Sequence, residues 1–268
     1  MNLFRVDEID DTQAPLLDHL VELRARLMRC IAVLLVAFVV CAFFAQRILT
    51  FLVHPLVVAG QNKLVYTKLY GQFFVEMKVA LFAACFISFP IIANQLWAFV
   101  APGLYAKEKK AFLPFLIATP VLFTGGGAMA YFVVMPTAFH WFLSFQGNQG
   151  GLQIEALPNS EDYLGLVMQF IFAFGLCFLL PVLLMLLNRF GIVSREQLVK
   201  ARRYVIVGIT IVAALLTPPD VISQLLLAVP MYVLFEGSLV LMRISERRAE
   251  KERAAEAAAA GEEASAGS

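Results

Sequence analysis

Long uncharged apolar runs alternate with shorter polar, often basic, segments along the chain. The first run covers 27–45. A second covers roughly 73–100 and contains Pro90. A third spans 111–135, with Pro114, Pro120 and the triplet Gly125-Gly126-Gly127. A fourth covers 163–187. A fifth, about 204–216, and a sixth, 221–242, are separated by Thr217-Pro218-Pro219-Asp220, a tight turn that forces an antiparallel hairpin. The runs are continuous rather than alternating, which predicts helices instead of barrel strands. Lipid demands such runs, because backbone groups inside a bilayer must be bonded within a helix or a closed barrel. The expected fold is therefore all-α and integral to a membrane, with six transmembrane helices. The fifth run is short, about 13 residues where a full span needs about 20. Either it begins within the Arg202-Arg203 region or the bilayer thins around it.

The segments outside the runs divide the chain. Leu16, Leu20, Leu23 and Leu27 recur at helical spacing, so 16–29 reads as an amphipathic helix feeding the first span. The division is a 1–26 N-terminal segment, a 27–243 six-helix membrane domain and a 244–268 tail. The tail is rich in Ala, Glu and Arg, and 254–268 is expected to be disordered. The first 26 residues are polar and acidic, which is not the pattern of a cleavable signal peptide. Of the two longer loops, 46–72 mixes Phe51, Tyr66 and Tyr70 with polar residues, and 145–162 is polar and Gly-rich. No internal repeat is visible.

Composition sharpens this. Hydrophobic residues make up 60% of the 268 and charged residues 15%. A soluble domain of this length has too little interior to hide that much apolar surface. Net charge is +1, which gives no footprint for nucleic acid. Lysine and arginine are segregated by loop: 17 of the 21 fall on one side of the six-span frame, and only Arg47, Lys63, Lys68 and Lys78 on the other. The rule that cytoplasmic loops carry the excess puts both termini in the cytoplasm, in a bacterial inner membrane, and independently supports an even number of spans.

Candidate chemistry is sparse. Cys30, Cys41, Cys85 and Cys177 lie in or beside apolar runs with no CxxC spacing, and His19, His54 and His140 are far apart. Neither set implies a disulfide framework or a metal site. There is no phosphate loop and no nucleophile–base pair at known spacing, so the chain does not read as an enzyme and implies no cofactor. Charges at the membrane boundaries say more. Glu22 shares a helix face with Asp18, Arg26 and Arg29. Spacing alone favours an i,i+4 pair with Arg26, worth about 0.3–0.5 kcal/mol, over an acidic site for a basic ligand. Glu108 is the one acid among Lys107, Lys109 and Lys110, after the turn residues Pro102 and Gly103. Spacing does not decide between local neutralisation and a binding role. Glu76 and Lys78 sit at the outer end of the second span. Asp220 is placed to cap the last span, and Gln224, one turn further in, to bond between helices. Glu236 lies seven residues before Arg243, within reach of the interface. Pro90, Pro102, Gly103, Pro218, Pro219 and Asp220 are grouped as turn positions. A small-molecule or ion transporter would need mid-membrane polar groups and internal symmetry; neither is visible.

Several stretches together resemble one family, the C subunit of the twin-arginine protein translocase (TatC), from about Asp18 to Arg243. They are His19-Leu20-Val21-Glu22-Leu23-Arg24; Phe89-Pro90 with Gln95-Leu96-Trp97-Ala98-Phe99, Pro102-Gly103-Leu104-Tyr105 and Glu108; Phe174-Gly175 with Phe178 and Pro181; and Thr217-Pro218-Pro219-Asp220 with Ser223-Gln224. The resemblance implies a non-enzymatic receptor that binds signal peptides carrying a consecutive arginine pair and begins transport of folded proteins, driven by the proton gradient. It implies that Glu22 and Glu108 receive the arginines, with Arg24 and Phe99 nearby. It also implies that Thr217 and Gln224 are where single-span TatA/TatB-type subunits dock, within a homo-oligomeric complex in lipid. Arginine keeps its charge, and its planar fork matches a carboxylate bidentately where lysine does not. One position departs: members commonly carry Glu or Gln in the fourth span just before the Leu-Pro or Val-Pro pair, and Leu179 stands there. That argues against a mechanism built on an intramembrane carboxylate.

Overall fold

The structure, a computed structural model, describes residues 14–100, 109–149, 151–218 and 220–266. Ten α-helices, one π-helical turn and a two-stranded hairpin make up its regular elements among these residues. Five helical stretches are long and apolar enough to cross a membrane: Leu20–Phe43, Gly71–Leu96, Phe115–Leu143, Ser160–Arg189 and Val221–Arg247. The short fifth run is a helix of 15 residues, about 22 Å long where the hydrocarbon core is about 30 Å. The described residues form two compact units. One lies within Met1–Val121 and Phe139–Met168, the other within Leu122–Ala138 and Gln169–Ser268.

The first unit is built on α1 (Ala14–Phe43) and α3 (Gly71–Val100). The amphipathic segment and the first span are one continuous helix, with no break at residue 27. Its stripe of Leu20, Leu23 and Leu27 stays exposed, a face that suits lipid better than a protein core. Small residues bring the two helices together. Ala37 and Cys41, four residues apart on α1, meet Ala80, Ala83 and Ala84, with Leu34, Phe38 and, from the helix that follows, Ala45 and Ile48 closing around them. Between membrane helices there is little hydrophobic drive, and small residues at four-residue spacing allow the backbones to approach. Pro90, grouped from sequence with the turns, lies inside the unbroken α3. Membrane helices tolerate proline where neighbouring groups satisfy the freed carbonyl.

The expected outer loop 46–72 contains a helix, α2 (Ala45–Val58), that buries Ala45, Leu52, Pro55 and Leu56. Its polar residues, Gln46, Arg47 and His54, interrupt the apolar pattern enough to hide it from a hydropathy reading. Residues after α2 are stitched to the loop before α6 (Ser160–Cys177). Val65 donates its N–H to the Pro158 carbonyl at 3.1 Å and accepts from Ser160 N–H at 2.8 Å. Gln61 Nε2 donates to the Ala156 carbonyl, Lys78 pairs with Glu161, and the buried Tyr163 hydroxyl donates to the Leu52 carbonyl at 2.9 Å. The Gly-rich loop carries the hairpin of β1 (Gly147–Gln149) and β2 (Leu152–Ile154), paired antiparallel with Asn148 opposite Gln153.

The third span runs through α4 (Lys109–Met129), a π-helical turn (Ala130–Val134) and α5 (Met135–Leu143), eight residues beyond the end read from sequence. The fourth breaks between α6 and α7 (Leu180–Arg189), where Pro181 cannot donate to the preceding turn; Leu179 sits at that break. In the second unit, α4 and α6 approach so closely that glycine is required on both. A Cβ on Gly126 would lie 2.4 Å from the Phe174 carbonyl oxygen, and one on Gly175 would lie 2.7 Å from the Phe123 ring. After α8 (Arg195–Lys200), which Ser194 and Gln197 open with a reciprocal capping box, α9 (Arg202–Leu216) and α10 (Val221–Ala266) form the hairpin. Helix α10 runs as far as Ala266, into the 254–268 segment. Ala, Glu, Arg and Lys are strong helix formers, so the tail needs no tertiary packing to continue the helix it inherits.

The glycine triplet yields a contrast between neighbours. Gly126→Ala should destabilise the protein by about 1–3 kcal/mol, because a backbone carbonyl stands where its methyl must go. Gly125→Ala, with nothing within 4 Å of its Cβ, should be neutral or stabilising. Thermal unfolding midpoints of the two purified variants in detergent check this.

Candidate functional site

Two polar constellations stand out against the apolar helices, one in each unit. The first is at the N-terminal part of α1. Helical spacing puts Arg26 one turn after Glu22, and its Nη2 donates to Glu22 Oε1 at 2.5 Å. The order, acid before base by four residues, is the favourable one for a helix. The same guanidinium extends its Nη1 to the main-chain carbonyl of Gln95 on α3, at 3.3 Å. That carbonyl lies near the C-terminal end of α3, where the helix dipole favours a cation. Arg26 therefore joins α1 to α3 as well as pairing with Glu22. The Arg26 side chain is 16% exposed and that of Glu22 39%, so the carboxylate is the more accessible partner. Arg24 and Arg29 are exposed on the same helix.

Of the expected arginine-receiving set, Glu22 and Arg24 both lie on this part of α1. Phe99 lies on α3, four residues beyond Gln95, with its side chain outside the described residues. Glu108, Pro102 and Gly103 also lie outside the described residues.

The second constellation is the α9–α10 turn. Asp220 caps α10 as its position predicts: Oδ2 accepts the Ser223 N–H at 2.6 Å. The buried Thr217 turns its hydroxyl back to the Ala213 carbonyl at 2.8 Å, and Pro218 accepts from Asp220 N–H. Pro219 lies outside the described residues. Gln224 bonds between helices, donating Nε2 to the Thr210 carbonyl of α9 at 3.3 Å. Beside these bonds, Asp220 Oδ1 and Ser223 Oγ are buried with no hydrogen-bond partner among the described residues. Unpaired buried polar atoms are rare in folded proteins, where ordered water or a neighbouring group usually satisfies them.

Sequence reading missed one member of this group. Gln169, the only amide in the fourth apolar run, donates Nε2 to the Leu216 carbonyl at the C-terminal end of α9, at 3.0 Å. A lone amide in an otherwise apolar span was the available signal. Toward the other end of the hairpin, Glu236 is held by Arg202 of α9 at 2.9 Å and by the Tyr232 hydroxyl at 3.1 Å. Arg195 pairs with Glu246 at 3.0 Å. Among the described residues no group of three or more His, Cys, Asp or Glu is placed to hold a metal ion.

The chain as a whole is similar to known proteins. The family model for Sec-independent protein translocase protein (TatC) matches residues 18–230. The chain is 45% identical over 247 residues to the protein of that name from Magnetococcus marinus, covering 91% of this chain and 90% of the relative. It is 41% identical over 230 residues to the one from Escherichia coli strain K12, covering 85% and 87%. A crystal structure described as the twin arginine translocase receptor TatC superposes with a TM-score of 0.72 at 33% identity. It covers 85% of this chain and 99% of that one.

The cap at the turn can be tested directly. Asp220→Ala removes the acceptor of the Ser223 N–H and should lower stability by about 0.5–2 kcal/mol. Asp220→Ser keeps a capping oxygen and should recover most of it. Thermal unfolding in detergent reads both.

Proposed function

The chain belongs to the TatC family of Sec-independent protein translocase proteins, and on that premise we propose that it is the subunit that receives twin-arginine signal peptides. It is a multi-pass membrane protein of a translocase family, not an enzyme. The proposed site is the pair of carboxylates Glu22 and Glu108, flanked by Arg24 and Phe99. One observation carries the reading: the Glu22 carboxylate stays 39% exposed even while paired with Arg26, so a ligand can reach it. A carboxylate at a helix surface stays ionised at little cost, and it binds the planar fork of arginine better than the point charge of lysine.

The rest of the proposal follows the charges and the turn. In this reading the protein sits in a bacterial inner membrane with both termini in the cytoplasm, an orientation that the loop excess of Lys and Arg supports, so that Glu22 meets its ligand there. Residues 1–26 and 244–268 flank the 27–243 membrane domain on that side. Thr217 and Gln224 form the docking place for single-span TatA/TatB-type subunits. Its support is the polar character of the turn within an apolar hairpin, since polar side chains act as attachment points between membrane helices. The assembly is a homo-oligomeric receptor complex in lipid that needs no cofactor and draws on the proton gradient.

The test is capture of a twin-arginine peptide by photocrosslinking in membranes. Glu22→Ala and Glu108→Ala should each weaken capture about tenfold, the low end of the 1.5–3 kcal/mol for a charge-assisted bond. Undiminished capture by both variants would sink the assignment.

A further inference from the structure

We infer that Arg26 is an internal competitor of the incoming arginine, one that holds a place on Oε1 of Glu22 for which a guanidinium docking with both prongs must compete. This rests on the reading of Glu22 as an arginine receptor. Arg26 is not part of the receiving set derived above, and its role follows from where its two terminal nitrogens go.

A bidentate arginine takes one lone-pair site on each carboxylate oxygen, and each oxygen offers about two. In the structure Oε1 of Glu22 carries Arg26 Nη2, and among the described residues no bond to Oε2 is made. A ligand guanidinium approaching Glu22 thus competes with Arg26 for Oε1, where one lone-pair site is already held. Arg26 is also tied to the Gln95 carbonyl through Nη1. This second tie gives it a place to remain once it has let Glu22 go, so displacement does not leave a cation without a partner. The side chain is mostly covered, at 16% exposure, so it stays near the carboxylate even when displaced. Arg26 therefore sets a threshold. Ligands that gain from two oxygens must overcome it, whereas a lysine, which asks for one oxygen, is hindered less.

The size of the threshold follows from the pair it opposes. Partly exposed ion pairs contribute roughly 0.2–1 kcal/mol, so removing the competitor is expected to tighten binding about two- to fivefold. The experiment uses the full-length protein in lipid nanodiscs and two synthetic fluorescent peptides, one with a consecutive arginine pair before an apolar stretch and one with a lysine pair. Arg26→Gln should bind the arginine peptide two- to fivefold tighter than the parent, with a smaller gain for the lysine peptide. In a Glu22→Gln background the same substitution should bring no gain. Arg26→Lys keeps the charge but reaches one acceptor at a time, and should fall between Arg26→Gln and the parent; it carries the test if Arg26→Gln does not fold.

Weaker or unchanged binding by Arg26→Gln overturns the inference while leaving the receptor site standing. Equal gains for both peptides, or a gain that persists without Glu22, assign the effect to net charge alone and overturn displacement. Unchanged binding by Glu22→Gln on its own removes the receptor reading, and this inference with it.

Discussion

Close backbone approach is what this fold depends on. Lipid tails are as apolar as leucine side chains, so burying a leucine between two membrane helices gains little over leaving it in the bilayer. Association must come from dispersion at short range and from the polar bonds that short range permits. Ala37 and Cys41 against Ala80 and Ala84 provide this for α1 and α3. Gly126 and Gly175 provide it for α4 and α6, where no side chain larger than hydrogen fits. The large exposed residues, such as Leu35, Val36, Phe132 and Leu215, are no defect in such a molecule; they face the solvent for which they were selected.

Once backbones are close, side chains reach the main chain of a neighbouring helix. Arg26 to Gln95, Gln224 to Thr210, and Gln169 to Leu216 are all bonds of this kind. Each is made by a long polar side chain to a carbonyl that already serves its own helix. Such bonds fix rotation and depth without requiring a matching polar side chain across the interface. They also explain how the hairpin of α9 and α10 carries polar groups while remaining in the membrane. The same contact that fastens α1 to α3 positions the carboxylate of Glu22. Packing and the proposed recognition thus share one residue.

Much of this was legible in the residues. Uncharged length gave the spans, since a helix that crosses lipid must be apolar all round. The shortness of 204–216 and the capping role of Asp220 were visible as well, because both depend on local sequence. The pair of Glu22 with Arg26 followed from helical spacing. The second bond of Arg26 did not, because its acceptor is a main-chain carbonyl 69 positions away, and carbonyls leave no mark in a sequence. Gln169 was overlooked for the same reason. Helix α2 was hidden because Arg47, His54 and Pro55 break its hydropathy while its backbone remains helical. Pro90 misled in the opposite direction, since proline punctuates soluble helices more strictly than membrane ones.

The length of α10 has a mechanical consequence. Forty-six residues extend about 69 Å, and the hydrocarbon core occupies some 30 Å of that. Beyond Arg247 the helix runs on for about 28 Å. Its base is gripped from the side by Arg202 on Glu236 and Arg195 on Glu246, which act as a fulcrum. On that pivot a tilt of about 10° displaces the far tip by roughly 5 Å, a simple multiplication by rod length. A small rotation of the last span therefore becomes a displacement of several ångströms at its far end.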